Sequence, residues 1–234
     1  MDNQPIIRIE KLVKKFPMGR GEFTALNGID LMFLQGEFAG LIGPSGSGKT
    51  TLLNIVGSLD VPTEGTAVVL GRPIENLSSK ESAKLRKENM GFIFQSYNLL
   101  AVHTVFENVE FPLLLLDYSA SQRKKMVTDA LEWVGLTEKI KSKPAQLSGG
   151  ECQRVAIARA MVKKPSLVLA DEPTANLDTD NSHNILKTME SLNREFKTTF
   201  LFATHDEKVI SYLRRKIFLL DGKVNKEETV SNQN

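Results

Sequence analysis

The stretch Gly43-Pro-Ser-Gly-Ser-Gly-Lys-Thr50 constrains this chain more than any other part of it. It fits G-x-x-x-x-G-K-[ST], a loop that cradles a polyphosphate. Glu37-Phe-Ala-Gly-Leu-Ile42 before it reads as a short buried strand, and Thr51-Leu-Leu-Asn-Ile-Val56 after it as the opening turns of a helix. Glycines let the backbone bend around phosphate with its N–H groups turned inward, and the helix start adds the positive end of its dipole. In that arrangement Lys49 reaches the β- and γ-phosphates and the Thr50 hydroxyl ligates Mg²⁺. A chance glycine-rich turn would lack the strand and helix on either side. The loop is therefore read as a nucleotide site.

The 234 residues, 41% of them hydrophobic, suffice for one domain with a large core and a subdomain. Thirty basic against 28 acidic residues leave a net charge of +2, which gives no nucleic-acid footprint. A single cysteine, Cys152, excludes an intrachain disulfide and suits a reducing cytosol. Met1-Asp-Asn-Gln-Pro5 opens polar, without a secretory signal. The longest apolar run, Phe111 to Leu116, falls far short of the roughly 18 residues that a membrane span requires. The expectation is a protein soluble by itself, with any membrane role supplied by a partner.

Further apolar runs place the chemistry. Short β-like runs from Ile6 to Leu34, broken by a turn at Gly19 to Gly21, and Thr66 to Leu70 predict a small antiparallel sheet. Met90 to Phe94, Ser166 to Ala170 and Thr199 to Ala203 have the length of buried parallel strands. Each ends at a polar residue: Gln95, Asp171, and Thr204-His205. Ligand groups of open α/β sheets sit at such carboxyl ends. Helical patterns over Thr104–Leu116, Ser121–Val134 and Gly149–Val162 predict a helical insertion, about 96–160, within a core of about 5–95 and 161–223. The tail, 224–234, is charged from Asn225 on and is expected to be disordered.

Asp171 and Glu172 form a strand end carrying two carboxylates that point opposite ways. Beside a phosphate loop the first supports Mg²⁺ and the second accepts a proton from an attacking water. Ser148 and Glu151 form an S-x-x-E capping box around Gly149 and Gly150. Paired glycines weaken a helix start, yet they bare its amides to an anion. His103 and His183 read as surface residues, Cys152, Leu131 and Trp133 as packing, and Arg154 and Arg159 as structural ion pairs or hydrogen bonds.

The order of these elements, with Leu147-Ser-Gly-Gly150 and Asn176-Leu-Asp178 between them, resembles the nucleotide-binding subunit of an ABC transporter over residues 6 to 223. Leu59-Asp-Val-Pro-Thr63 and Phe94 to Leu100 are similar to the branch of lipoprotein-releasing, macrolide-export and cell-division ATPases. The resemblance implies an α/β fold: a P-loop NTPase (RecA-like) core with a parallel sheet, a flanking antiparallel subdomain and an inserted helical one. It implies that Gly43, Pro44, Ser45, Gly46, Ser47, Gly48, Lys49, Thr50 and Thr51 wrap the phosphates of ATP. Thr50, Gln95 and Asp171 would hold Mg²⁺, Glu172 would polarise water, and His205 would contact the γ-phosphate. Ser148, Gly149 and Gly150 would act on ATP held by a second copy, with Asp178 at the dimer seam. Phe16 falls where an aromatic stacks on adenine, with Phe23 nearby. Glu151 departs from the commonest pattern, Gln, and adds a negative charge near an anion-binding end.

The function implied is Mg-ATP hydrolysis in a head-to-tail homodimer that drives a separate permease for a lipoprotein, peptide or drug. That permease would contact Ser96 to Asn108, and the chain would sit on the cytoplasmic face of the inner membrane. A mechanosignalling complex of the cell-division type is the alternative. Repair or ribosomal ATPases carry a coiled-coil insertion or a second cassette, neither of which this sequence contains. A guanine-specificity motif is matched only loosely, by Asn225 to Glu228.

Overall fold

A computed structural model describes residues 5–19 and 21–230. The elements run β1 (Ile7–Met18), β2 (Gly21–Phe33), β3 (Phe38–Ile42), α1 (Lys49–Val56), β4 (Glu64–Val69), β5 (Arg72–Pro73) and α2 (Ser79–Asn89). Then follow β6 (Met90–Ile93), α3 (Val105–Glu110), α4 (Ala120–Trp133), α5 (Gly149–Met161), β7 (Leu167–Asp171) and α6 (Thr179–Phe196). The chain closes with β8 (Thr199–Thr204), α7 (Glu207–Tyr212), β9 (Arg215–Leu220) and β10 (Lys223–Thr229).

Six strands form one sheet in the order β10-β9-β3-β8-β7-β6. All its pairs are parallel except β10 on β9. Parallel strands are covered on both faces, so their sequences are apolar throughout rather than alternating. β3 shows this directly. Phe38 and Ile42 pack into a core shared with α3 to α7, while Ala39 and Leu41 pack into a second core beneath β1, β2 and α1. Phe38, Phe200 and Phe202 meet in the first core with ring centroids 4.7 to 6.0 Å apart. The second sheet, β2-β1-β4-β5, is antiparallel, as the short runs and the turn between them predict.

Local chemistry sets the helix starts. Thr104 with Glu107, Ser119 with Gln122, and Ser148 with Glu151 each form a capping box, satisfying two end amides reciprocally. The pattern expected over Thr104–Leu116 resolves into α3 followed by a tighter turn of helix at Phe111–Leu115.

The tail is a correction. Residues 225–230 are ordered, because β10 adds to the sheet edge by pairing its main chain with β9. A strand needs few buried side chains when a neighbour supplies its hydrogen bonds. Arg215 reinforces the pair through Glu227 at 2.7 Å and Glu37 at 2.9 Å. Residues 231–234 of that tail, residues 1–4 of the opening, and Arg20 in the hairpin turn lie outside the described residues. His183 is also more than a surface residue, since its Nδ1 lies 3.1 Å from the Tyr212 hydroxyl and it is half-buried.

Candidate active site

Four of the parallel strands release their chemistry at the same end of the sheet. β3 ends at the loop Gly43–Lys49, β6 leads to Gln95, β7 to Asp171 and Glu172, and β8 to Thr204 and His205. A cavity of about 390 Å³ opens there. Its walls include Phe16, Ser45, Gly46, Ser47, Gly48, Lys49, Thr50, Thr51, Gln95, Asp171, Glu172 and His205. Gly43 and Pro44 belong to the same loop but do not line it.

The loop itself is built for close approach. Gly48 caps α1 at φ 102°, and a Cβ there would sit 2.7 Å from the Ala25 carbonyl. Its lack of a side chain leaves the first amides of α1 uncapped and directed at the cavity. Ser47 lines the same wall with its buried Oγ unpartnered, a polar atom that suits a phosphate oxygen. Lys49 is almost wholly buried and donates to the carbonyls of Gly43 at 2.7 Å and Pro44 at 2.9 Å. These bonds keep the ammonium over the loop, where an arriving polyphosphate competes for it.

Two acidic arrangements stand side by side. The Thr50 hydroxyl donates to Asp171 at 3.1 Å. Burial pushes the Asp171 carboxyl above its ordinary range, the Thr50 bond opposing and the Glu172 charge adding to that shift. The Glu172 carboxylate lies 2.6 Å from His205 Nδ1 and accepts the Thr204 hydroxyl at 3.0 Å. Both its oxygens are thereby oriented, while His205 remains largely exposed. Thr50, Asp171 and Gln95 are oxygen donors on one wall, the set that a hard cation such as Mg²⁺ takes together with phosphate and water. Among the described residues no cluster of three or more His, Cys, Asp or Glu that could hold a metal ion is present.

Four residues singled out in the sequence lie elsewhere. Ser148, Gly149, Gly150 and Asp178 do not line the cavity. Ser148 caps α5 and Asp178 caps α6, the latter accepting the Asn181 amide at 2.8 Å. Gly150 is buried so tightly that a Cβ would meet the Asn181 side chain at 2.6 Å. Glu151 keeps its negative charge at the helix end, as the sequence suggested. Its carboxylate turns back to accept the Ser148 amide at 2.8 Å and lies 3.5 Å from Lys139, and that amide bond above all holds its pKa below the usual range.

This geometry has known counterparts. The profile of the ABC transporter family matches residues 26–175. The chain belongs to the ABC transporter family. The lipoprotein-releasing system ATP-binding protein LolD of Pseudoalteromonas translucida is 44% identical over 97% of this chain and 98% of its own. The macrolide export ATP-binding/permease protein MacB of Hyphomonas neptunium is 42% identical over 94% of this chain but only 34% of its own length. A post-hydrolysis dimer of the cassette MJ0796 bound to ADP and Pi superimposes with a TM-score of 0.89 at 39% identity, covering 97% of this chain and 99% of that one. The cassette is thus an ATP-binding, ATP-hydrolysing ABC ATPase that uses ATP with Mg²⁺.

Some of the site was only partly read from sequence. Phe23, noted there as a neighbour of Phe16, lines the cavity beside it, because the β1–β2 register pairs the two directly. Ala25 lines it too. Asn176 donates to the Gln95 carbonyl at 2.9 Å, tying the segment after β6 to the turn after Glu172. Phe23 could be found from hairpin pairing alone; the Asn176 contact has no signal in spacing.

Proposed function

We propose that two copies of this cassette sandwich ATP head to tail, and that Glu172 accepts the proton of the water attacking the γ-phosphate. One observation carries the reading. The cavity gathers Lys49, Thr50, Gln95, Asp171, Glu172 and His205, whereas Ser148 to Gly150 lie on exposed or helix-packed surface outside it. A second copy would bring its signature residues over the open side. Loop amides and Lys49 bind and orient the phosphates; Phe16 or Phe23 stacks on adenine. Mg²⁺ held by Thr50, Gln95 and Asp171 would neutralise charge developing on the β- and γ-phosphates. The attacking water loses its proton to Glu172, the β–γ bridge bond breaks, and the bridging oxygen leaves with ADP. His205, oriented by Glu172, hydrogen-bonds the γ-phosphate.

We also propose that a membrane permease docks in a groove of about 470 Å³ beside the Gln95 turn, lined by Phe92, Phe94, Asn98, Phe111 and Leu115. Arg86, Lys87, Arg159 and Lys163 line it as well, and no carboxylate does. Each of these cations bonds a backbone carbonyl, and among the described residues none forms an ion pair. An apolar helical segment bearing a carboxylate complements that lining. No described helix is long and apolar enough to cross a membrane, so the cassette would sit at the cytoplasmic face of the inner membrane through this partner. The names of its relatives, lipoprotein-releasing and macrolide export, support release of a lipoprotein or export of a drug as the output.

Light scattering tests the sandwich. Glu172→Gln should shift from monomer to dimer with ATP and not with ADP, and Ser148→Arg added to it should abolish the shift. A dimer indifferent to Ser148→Arg would exclude this geometry.

A further inference from the structure

Gln153 sits on α5, about one and a half turns past the Ser148 cap. Its side chain is wholly buried. The amide nitrogen donates to the Pro173 carbonyl at 2.6 Å, and the amide oxygen has no protein partner. A buried acceptor left open is destabilising, and a methionine would fill the same space without that cost. What methionine lacks is the donor toward Pro173. The amide is therefore explained by that one bond.

Pro173 follows Glu172, whose φ is 45°, in the left-handed region. A residue before proline is pressed toward extended backbone, and a non-glycine residue there is strained. Such a conformation persists only where its surroundings hold it. The Glu172 amide donates to the Ala203 carbonyl at 2.9 Å, which secures one side. The Thr174 hydroxyl donates to Asp206 at 2.9 Å, which secures the other. Gln153 fastens the peptide between them, and it alone of the three belongs to the helix that begins with Ser148-Gly149-Gly150.

We propose that Gln153 is a positioning residue for Glu172, holding the strained Glu172–Pro173 turn and making its placement follow the signature helix. This rests on the reading of Glu172 as proton acceptor. Movement of α5 as it engages ATP on a partner copy would then reach the carboxylate of its own site through one hydrogen bond. The thiol of Cys152 and the guanidinium of Arg154, next to Gln153 in the chain, make no bond to this turn among the described residues.

Steady-state hydrolysis by the full chain tests this with two variants. Gln153→Met removes the donor and the orphan acceptor together; Gln153→Glu keeps the shape and replaces the donor. Each should lower kcat on the order of tenfold or more, since small misplacements of a reacting group carry large rate costs. ATP affinity, measured by nucleotide titration, should stay within about twofold of wild type, because neither variant touches the cavity. In a Glu172→Gln background Gln153→Met should cause little further loss, as expected of residues that act as a unit. An equal fractional loss in both backgrounds would overturn the proposal, as would wild-type kcat with only a lowered melting temperature. Near-wild-type hydrolysis by Glu172→Gln itself would instead overturn the underlying catalytic reading.

Discussion

Two concavities of the cassette differ in construction. The nucleotide cavity, about 390 Å³, is walled by a phosphate loop and by polar residues at the ends of parallel strands. The groove, about 470 Å³, is walled by apolar side chains and four cations drawn chiefly from α2, β6, the turn after Gln95, the helical turn Phe111–Leu115, α5 and the residues just after it. The first is assembled by backbone topology, since parallel strands all deliver their carboxyl ends to one edge. The second is assembled by side chains whose other contacts are ordinary packing. One segment joins them: Gln95 faces the cavity and Asn98 the groove. Between them Tyr97 and Asn98 adopt φ values of 60° and 49°, and Arg159 donates to both their carbonyls at 2.6 Å. The nucleotide cavity and the proposed docking groove are thus separate surfaces sharing one pinned turn.

If that separation is real, substitutions on one side should spare the other. The largest effect belongs to Glu172→Gln, which keeps shape but removes the proton acceptor. Its hydrolysis rate should fall by about 10²–10⁴-fold. ATP binding should survive, and the protein should accumulate as an ATP-filled dimer visible by gel filtration. Hydrolysis near the wild-type rate would transfer the role to His205 or Gln95. Next is Lys49→Ala. Deleting a charge-assisted bond to phosphate should weaken ATP affinity by roughly 10- to 100-fold, read by nucleotide titration. Unchanged affinity would mean that the ammonium serves only the Gly43 and Pro44 carbonyls.

The groove should give the opposite pattern. Leu115→Asp or Lys87→Glu should leave hydrolysis by the isolated cassette within about twofold, because both sites are half-exposed and remote from the phosphates. In membranes containing the permease, the same variants should lose assembly and coupled hydrolysis. Loss of activity in the isolated cassette would erase the distinction between the two surfaces.

This contrast also explains what the sequence made legible. The cavity could be read because strand-length apolar runs ending at a polar residue mark both the fold and the site: Phe94 to Gln95, Ala170 to Asp171, Ala203 to Thr204. The signature residues were recognisable by motif, and their distance from the cavity followed from no spacing rule. Other features had no such mark. β10 escaped notice because an edge strand with mostly exposed side chains carries little periodicity. The groove escaped because Leu59, Arg86, Phe111 and Lys163 are dispersed in sequence and share no pattern. Gln153 escaped because its role lies in one buried bond across 20 residues of chain.

The smallest effect probes the groove from within. Lys163 donates to the carbonyls of Arg86 at 2.9 Å and Lys87 at 2.5 Å, and burial lowers its pKa from 10.5 to about 8, with Glu88 opposing. Between those two values the unfolded chain holds a proton that the folded chain releases. Stability rises with pH wherever the unfolded state binds more protons. Wild type should therefore gain stability relative to Lys163→Met as pH climbs from about 8 toward 10.5, measured as the difference in urea midpoint at several pH values. A flat difference would mean that the two carbonyls keep the ammonium charged, and that the groove presents a fixed cation throughout. An acidic segment docked against the groove would act in the same direction as those carbonyls. Its carboxylate would hold the proton on Lys163 and raise the pKa, so the pH dependence should flatten in the permease complex. Persistence of the full slope in the complex would place the partner's carboxylate away from Lys163 and break the proposed charge match.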